Sequence, residues 1–245
     1  MSTTKQLVAN FIMITVCTHI CIPELRASNP IESTAIYSYM KTDGKQIGTI
    51  RIHSTPNSTM TKTTTNFDLK SSQLFMDIVI KSDETLYHRE GKLVKFILKN
   101  YSKLPVTGEK NFEFNGEFDK EKLYLSRKDL LTGELIKKEI DASTFDSIGD
   151  FNYHMTLRRP ILKRGEQKEL KSLNLKSLTV TKILLMGGIT KTINHNGVNT
   201  TVHQLMLRSQ DKEITFWINN DGLVILTEGQ RFKSALKEFH ATKKN

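Results

Sequence analysis

Cysteine is nearly absent from this 245-residue chain: Cys17 and Cys21 are its only two, and both fall within the first 22 residues. No disulfide framework can therefore staple the remaining chain, and thiol catalysis has no nucleophile there. Proline is scarce as well, with five residues, and tryptophan occurs once, at Trp217. There is no internal repeat, no low-complexity tract and no Pro/Gly/Ser linker at which to divide the chain. No apolar run reaches the ~20 residues a spanning helix needs, so the protein is not expected to be integral to a membrane. Gly-x-Ser-x-Gly does not occur, and the histidines show no His-x-x-x-His pair, so neither a hydrolase elbow nor a zinc helix is signalled. Nothing in the sequence calls for a metal or a cofactor.

The longest apolar stretch runs from Leu7 to Ile22, preceded by a single charge, Lys5, and broken by Pro23. Leu25-Arg26-Ala27 follows, then Ser28 and Asn29. A basic start, a short apolar run and a small residue at its end form a secretory signal. The expected organisation is a signal peptide over 1–27 and a single β domain over 28–245, placing the mature protein in a periplasm or outside the cell. Val16 and Ile20 precede the two cysteines, where lipid attachment would need a small residue. Without Lys5, Arg26 and Glu24 the remainder carries 34 basic and 25 acidic residues, net +9. A basic exported protein suits anionic lipid head groups or acidic polymers. Nucleic acid is a poor partner in that compartment, and no aromatic platform interleaves with the cations.

Through most of the chain apolar and polar residues alternate, the period-two pattern of half-buried strands. Asp43-Gly44, Glu90-Gly91, Thr132-Gly133, Asn196-Gly197 and Asp221-Gly222 mark tight turns, and with the weaker breaks between strands the turn signals recur about every ten residues. The reading is a mainly β protein: a curved antiparallel sheet or half-open barrel of about ten to twelve strands. Leu74–Lys81 and Glu84–His88 read as two paired strands, and Gly187-Gly188 as a bend or bulge rather than a phosphate loop. Over 142–155, Phe145, Ile148 and Phe151 stand at helical spacing behind Asp141 or Ser143 as a cap, which predicts a short helix near 143–153. Asp141, Asp146 and Asp150 in that region have a local explanation in caps and turns. The tail from Gln230 to His240 fits a strand or a helix.

Tyr37 and Tyr39 ahead of Asp43-Gly44-Lys45-Gln46-Ile47-Gly48 resemble the start of uncharacterised bacterial periplasmic β domains of unknown function. The close, Phe216-Trp217-Ile218 before Asp221-Gly222 and a returning strand, is similar to theirs. The resemblance covers residues 34–232 thinly, and the proline common after the last turn is missing at Ile225-Leu226-Thr227. It implies an envelope protein with the half-barrel of LolA- and LolB-like lipoprotein carriers, and it brings no catalytic residues.

Two sets of residues stand out as candidate ligand contacts. Phe112, Phe114 and Phe118 share a phase around Gly116 and, with Phe216, could line an acyl-chain pocket on a concave sheet. Arg158, Arg159, Lys163 and Arg164 open the densest basic stretch, and arginine pairs hold phosphate or carboxylate well. The same charges also suit a solvated edge strand that resists aggregation. The expectation is a non-enzymatic protein that binds a lipid or another anionic amphiphile. The rivals are an envelope assembly or scaffold protein that binds another envelope protein, and a hydrolase of an envelope polymer.

Overall fold

A computed structural model describes residues 32–57, 59–73, 76–90, 92–105, 107–148, 159–209, 212–230 and 232–242. The expected signal segment lies outside these residues. Fifteen strands follow one another along the chain: β1 (Glu32–Lys41), β2 (Gln46–Pro56), β3 (Thr61–Gln73), β4 (Met76–Arg89), β5 (Lys92–Leu104), β6 (Gly108–Asp119), β7 (Lys122–Asp129), β8 (Leu135–Asp141), β9 (Ser147–Ile148), β10 (Gln167–Asn174), β11 (Thr179–His195), β12 (Val198–Ser209), β13 (Lys212–Asn219), β14 (Val224–Gly229) and β15 (Phe232–Thr242). They form one sheet in the order β8-β7-β6-β5-β4-β3-β2-β1-β15-β14-β13-β12-β11-β10-β9. Each strand thus pairs with its sequence neighbours, β1 also pairs with β15, and a seam separates β8 from β9. Among the described residues no helix is long and apolar enough to cross a membrane.

The alternation that predicts strands also assigns their faces, because residues paired across a ladder point the same way. One row runs Leu236, Tyr37, Ile50, Phe67, Ser82, Asn100, Phe112 from β15 to β6. A second runs Leu205, Phe216, Thr227, Ser234, Tyr39 from β12 to β1. Both rows lie on one face, here the inner wall, and most of the largest fully buried side chains sit on it. The turns take the conformations their residues permit: Gly44 and Gly222 have φ of +86° and +77°, a region that costs a side chain and that glycine enters freely.

The sheet has more strands than the ten to twelve expected. The dip at Ser82-Asp83 that suggested a turn is the middle of the single strand β4, where Ser82 pairs with Phe67 and Asp83 with Asn66. Asn66 Nδ2 donates to Asp83 Oδ1 at 2.7 Å, so the polar pair strengthens the ladder instead of ending it. The tail is a strand, β15.

The expected helix near 143–153 is corrected to a single 3-10 turn, Ala142–Thr144, capped by Asp141, whose Oδ1 accepts the Ser143 N–H at 2.8 Å. After it Phe145 is extended, and β9 joins β10 in parallel. Asp146 N–H donates to Lys171 O, and Lys171 N–H to Asp146 Oδ2, each at 2.7 Å. These pairings with β10 hold the backbone extended and override the helical spacing of Phe145 and Ile148. The later part of that expected helix, including Asp150 and Phe151, lies outside the described residues.

Gly187-Gly188 is a bulge, as expected: between Gly187 and Thr190 the register of β11 against β12 slips. Gly187 also has a packing reason. A Cβ there would lie 2.0 Å from the carbonyl oxygen of Lys163, because the segment after Pro160 folds back against β11. Gly165 N–H donates to Gly187 O at 3.0 Å and Gly187 N–H to Glu166 O at 2.8 Å.

Candidate ligand-binding wall

The three phenylalanines of β6 do share the inner wall. Phe114 is fully buried, and Phe112 and Phe118 pack at the margin of the core. Phe112 and Phe114 ring centroids are 6.3 Å apart, and Phe118 reaches Phe145 at 6.4 Å. Arg127 places its guanidinium 5.8 Å from the Phe112 ring centroid and donates from Nη1 to Lys176 O at 3.2 Å, crossing the seam to the β10–β11 turn. Phe216, fully buried, belongs to a second cluster with Leu170, Ile183, Leu185, Leu205, Leu207, Ile214, Ile218 and Val224. Seven strands separate it from the β6 trio in the sheet order.

The basic residues divide three ways. Arg158 lies outside the described residues. Arg159 is in the wall and not on a rim: it is 2% exposed, its guanidinium lies 4.8 Å from the Phe216 ring centroid, and its N–H donates to Gly222 O at 2.7 Å. The planar cation is held by the ring quadrupole and by packing of its stem. Tyr37, whose hydroxyl donates to Val224 O at 2.9 Å, senses the same charge. Burial raises the Tyr37 pKa well above its ordinary value, and Arg159 opposes part of that rise. Lys163 and Arg164 are exposed on a turn closed by Glu166, whose N–H donates to Lys163 O and whose Oε2 accepts the Lys163 N–H, both at 2.9 Å. Of the expected contacts, the structure therefore unites Arg159 with Phe216 and groups the β6 trio.

Sequence reasoning missed the polar part of the wall. Thr65, Ser82, Glu84 and Asn100 lie on adjoining inner positions of β3, β4 and β5, all buried. Thr227 and Ser234 face each other across β14 and β15, fully buried. Among the described residues, both amide atoms of Asn100, Thr65 Oγ1, Thr227 Oγ1 and Ser234 Oγ have no hydrogen-bond partner. A buried polar group left so costs about 1–3 kcal/mol. The signal available in the sequence was phase: Asn100 stands two residues beyond Leu98, in the core-facing register of a strand.

The outer side of β5–β8 holds a shallow groove of about 550 Å³, lined among others by Lys95, Ile97, Glu117, Tyr124, Lys137 and Glu139. Its charges pair across the strands, Lys95 with Glu117 at 3.9 Å and Glu139 with neighbouring Lys122, which suits solvent better than an acyl chain. His53 is bonded to Thr34 and Thr55, and His203 to Thr190 and Asn220, so these two strand histidines have separate local partners.

No family model matches the chain, and no curated protein matches it. Among solved structures, it is similar to a β-barrel-like protein of a domain of unknown function (DUF1849) from Brucella abortus. The TM-score is 0.62 at 9% sequence identity, over 89% of this chain and 100% of that one. At that identity the likeness concerns the fold alone: this chain has the architecture of an uncharacterised β-barrel-like protein.

Proposed function

We propose that this is a non-enzymatic protein of the bacterial envelope, exported to the periplasm or beyond, that binds a lipid or similar amphiphile along its inner wall, in the manner of LolA- and LolB-like carriers. One observation carries the reading. The wall is apolar over most of its area yet keeps buried, unpartnered polar groups at Asn100, Thr65, Thr227 and Ser234. A protein that needed only a core would gain stability by replacing them with apolar residues. An amphipathic guest requires both surfaces: chains against Phe112, Phe114, Phe118 and Phe216, and a polar head near side chains that can hydrogen-bond. Burial of an acyl chain contributes ~25 cal/mol per Å² of apolar area. Arg159 beside Phe216, with Lys163 and Arg164 on the following turn, favours an anionic head.

The test is native mass spectrometry of the protein purified from its own envelope, followed by titration of the delipidated protein with anionic and neutral amphiphiles of equal chain length. A co-purifying lipid and saturable binding are expected. Reversing the charges of Lys163 and Arg164 should weaken the anionic amphiphile more than the neutral one. Failure of the delipidated protein to bind either amphiphile would sink the reading. The scaffold alternative draws on β8, which among the described residues has a ladder partner, β7, on one side only; a bound polypeptide in place of lipid would favour it.

A further inference from the structure

Hairpin tips are ordinarily polar, and the β7–β8 tip is not. Leu130, Leu131 and Leu135 are 40%, 51% and 53% exposed there. The turn that presents them is fully bonded. Gly133 N–H donates to Asp129 O and Asp129 N–H to Glu134 O, both at 2.8 Å, while Leu130 N–H donates to Asn111 O at 2.7 Å. Asp129 Oδ1 accepts the N–H groups of Leu131 and Thr132 at 2.8 and 3.2 Å. The leucines are thus held outward by a defined backbone. Across the seam, the β10–β11 turn brings Val180, 41% exposed, to the same end of the sheet, and the bond from Arg127 to Lys176 O ties the two turns together.

The charge around these apolar tips is one-sided. Residues 127–138 and 174–182 contain six cations, Arg127, Lys128, Lys137, Lys138, Lys176 and Lys182, against two acids, Asp129 and Glu134. The five lysines are exposed, Lys182 pairs with Glu169, a carboxylate outside the two segments, at 2.9 Å, and Asp129 is engaged in the turn.

We propose that this rim docks on the surface of an anionic lipid bilayer, with Leu130, Leu131 and Leu135 inserted at the level of the head groups and the lysines against lipid phosphates. The complementarity is that of interfacial membrane contacts: a small apolar wedge inside a ring of cations. A protruding tip of three leucines is far smaller than the ~1,600 Å² that a stable protein partner buries. The inference is independent of what the inner wall binds. If both hold, the rim places the seam at a membrane.

The experiment is vesicle co-sedimentation of the purified protein. It uses phosphatidylcholine vesicles and mixed phosphatidylcholine–phosphatidylglycerol vesicles, at low and high salt. Binding to the mixed vesicles, falling at high salt, is expected. Leu130→Ser/Leu131→Ser should lower it at least tenfold, with unchanged melting and unchanged uptake of soluble amphiphile. Lys128→Glu/Lys137→Glu/Lys138→Glu should abolish the preference for phosphatidylglycerol. Val198→Ser, at another exposed apolar turn, should leave binding as it was. No binding to mixed vesicles, or a double-leucine variant that binds like the parent, overturns the proposal. So does an equal loss in Val198→Ser. A rim that fails while amphiphile still binds leaves the inner-wall reading standing.

Discussion

The two halves of the inner wall are built differently. From β10 to β13 its buried positions are mainly apolar: Leu170, Ile183, Leu185, Leu205, Leu207, Ile214, Phe216 and Ile218 are each at most 4% exposed, with buried Ser172 and Ser209 in the same phase and Arg159 against Phe216. The segment after Arg159 closes over it, with Leu162 packed on the cluster and the backbone of 163–166 bonded to itself and to Gly187. From β3 to β5 the wall is just as buried but carries Thr65, Ser82, Glu84 and Asn100 among the apolar residues. Burial alone, then, does not choose the residue type. The β10–β13 half is sealed by the 159–166 segment, whereas the β3–β5 half keeps Thr65 and Asn100 buried at a cost in stability.

The largest effect expected from this contrast is at Phe216. Phe216→Ala should destabilise by about 4 kcal/mol, as full-size cavities in closed cores do. Phe112→Ala, at the core margin, should cost about half as much on the same scale. Urea unfolding checks both, and equal losses would remove the distinction between the halves. Next is the closure itself. Gly187→Ala drives a methyl into the Lys163 carbonyl and should cost about 3 kcal/mol, the upper part of the overpacking range. Gly188→Ala meets the Gln204 side chain instead of backbone. The amide end can turn aside at the loss of its bond from Ile189 N–H, while Gln204 Cβ at 2.9 Å has to give slightly, so its melting temperature should fall less than that of Gly187→Ala.

Asn100→Leu should act in the opposite direction. With the same branching of heavy atoms, though larger, and free of unpartnered polar atoms, it should stabilise the protein by about 1 kcal/mol where the wall leaves room for its methyl groups, while reducing amphiphile binding. A destabilised variant would mean that Asn100 is satisfied in solution, for instance by ordered water, and the two halves would then differ less than their composition suggests.

The smallest effect belongs to the outer side of the β12–β14 half. Trp217 donates from Nε1 to Glu228 Oε2 at 2.8 Å, with the Lys191 ammonium 3.5 Å from the ring centroid. Burial pushes the Glu228 pKa up, but the Trp217 bond and the Lys233 and Lys191 charges outweigh it, leaving the pKa below the usual glutamate value. A carboxylate lowered in this way stabilises the fold above its unfolded-state pKa, and that contribution is lost as pH falls through the folded value. Fluorescence of Trp217, the chain's one tryptophan, should change in that acid range. Glu228→Gln should abolish the transition; a transition that persists would assign it to another group.

Period and turn chemistry made most of the sheet legible. Tyr37 and Tyr39, Phe112, Phe114 and Phe118, and Phe216 all lie on the inner face, as alternation implies. Gly44 and Gly222 occupy the turns that their neighbours announce. What failed was decided by partners distant in sequence. Ser82-Asp83 resembles a turn until β3 lies beside it, and the 142–148 region resembles a helix until β10 pairs with β9. Arg159 resembles a surface charge because nothing near it in sequence reveals that residues 159–166 fold back across β11. Asn100 escaped notice because an asparagine near a strand end reads as a turn or surface residue, although its phase with Leu98 points inward and the ladder to Ser82 and Phe112 agrees. The leucines of the β7–β8 tip were visible as letters but not as a surface.

The pairing of β1 with β15 has a kinetic consequence. Glu32 lies opposite Thr242, so this one ladder closes a loop of nearly the whole domain, whereas most others join strands adjacent along the chain. Loop-closure entropy makes such a contact late and slow. Each half-sheet can grow by local hairpins, but they join only after residues 232–242 have been made and delivered. A circular permutant that links 242 to 32 and opens the chain between Thr144 and Ser147 would make every pair of neighbouring strands consecutive along the chain, an antiparallel meander from β10 to β8 with β9 beside it. Its contact order would be lower, and it should fold faster than the natural order without any change in the contacts of the finished sheet.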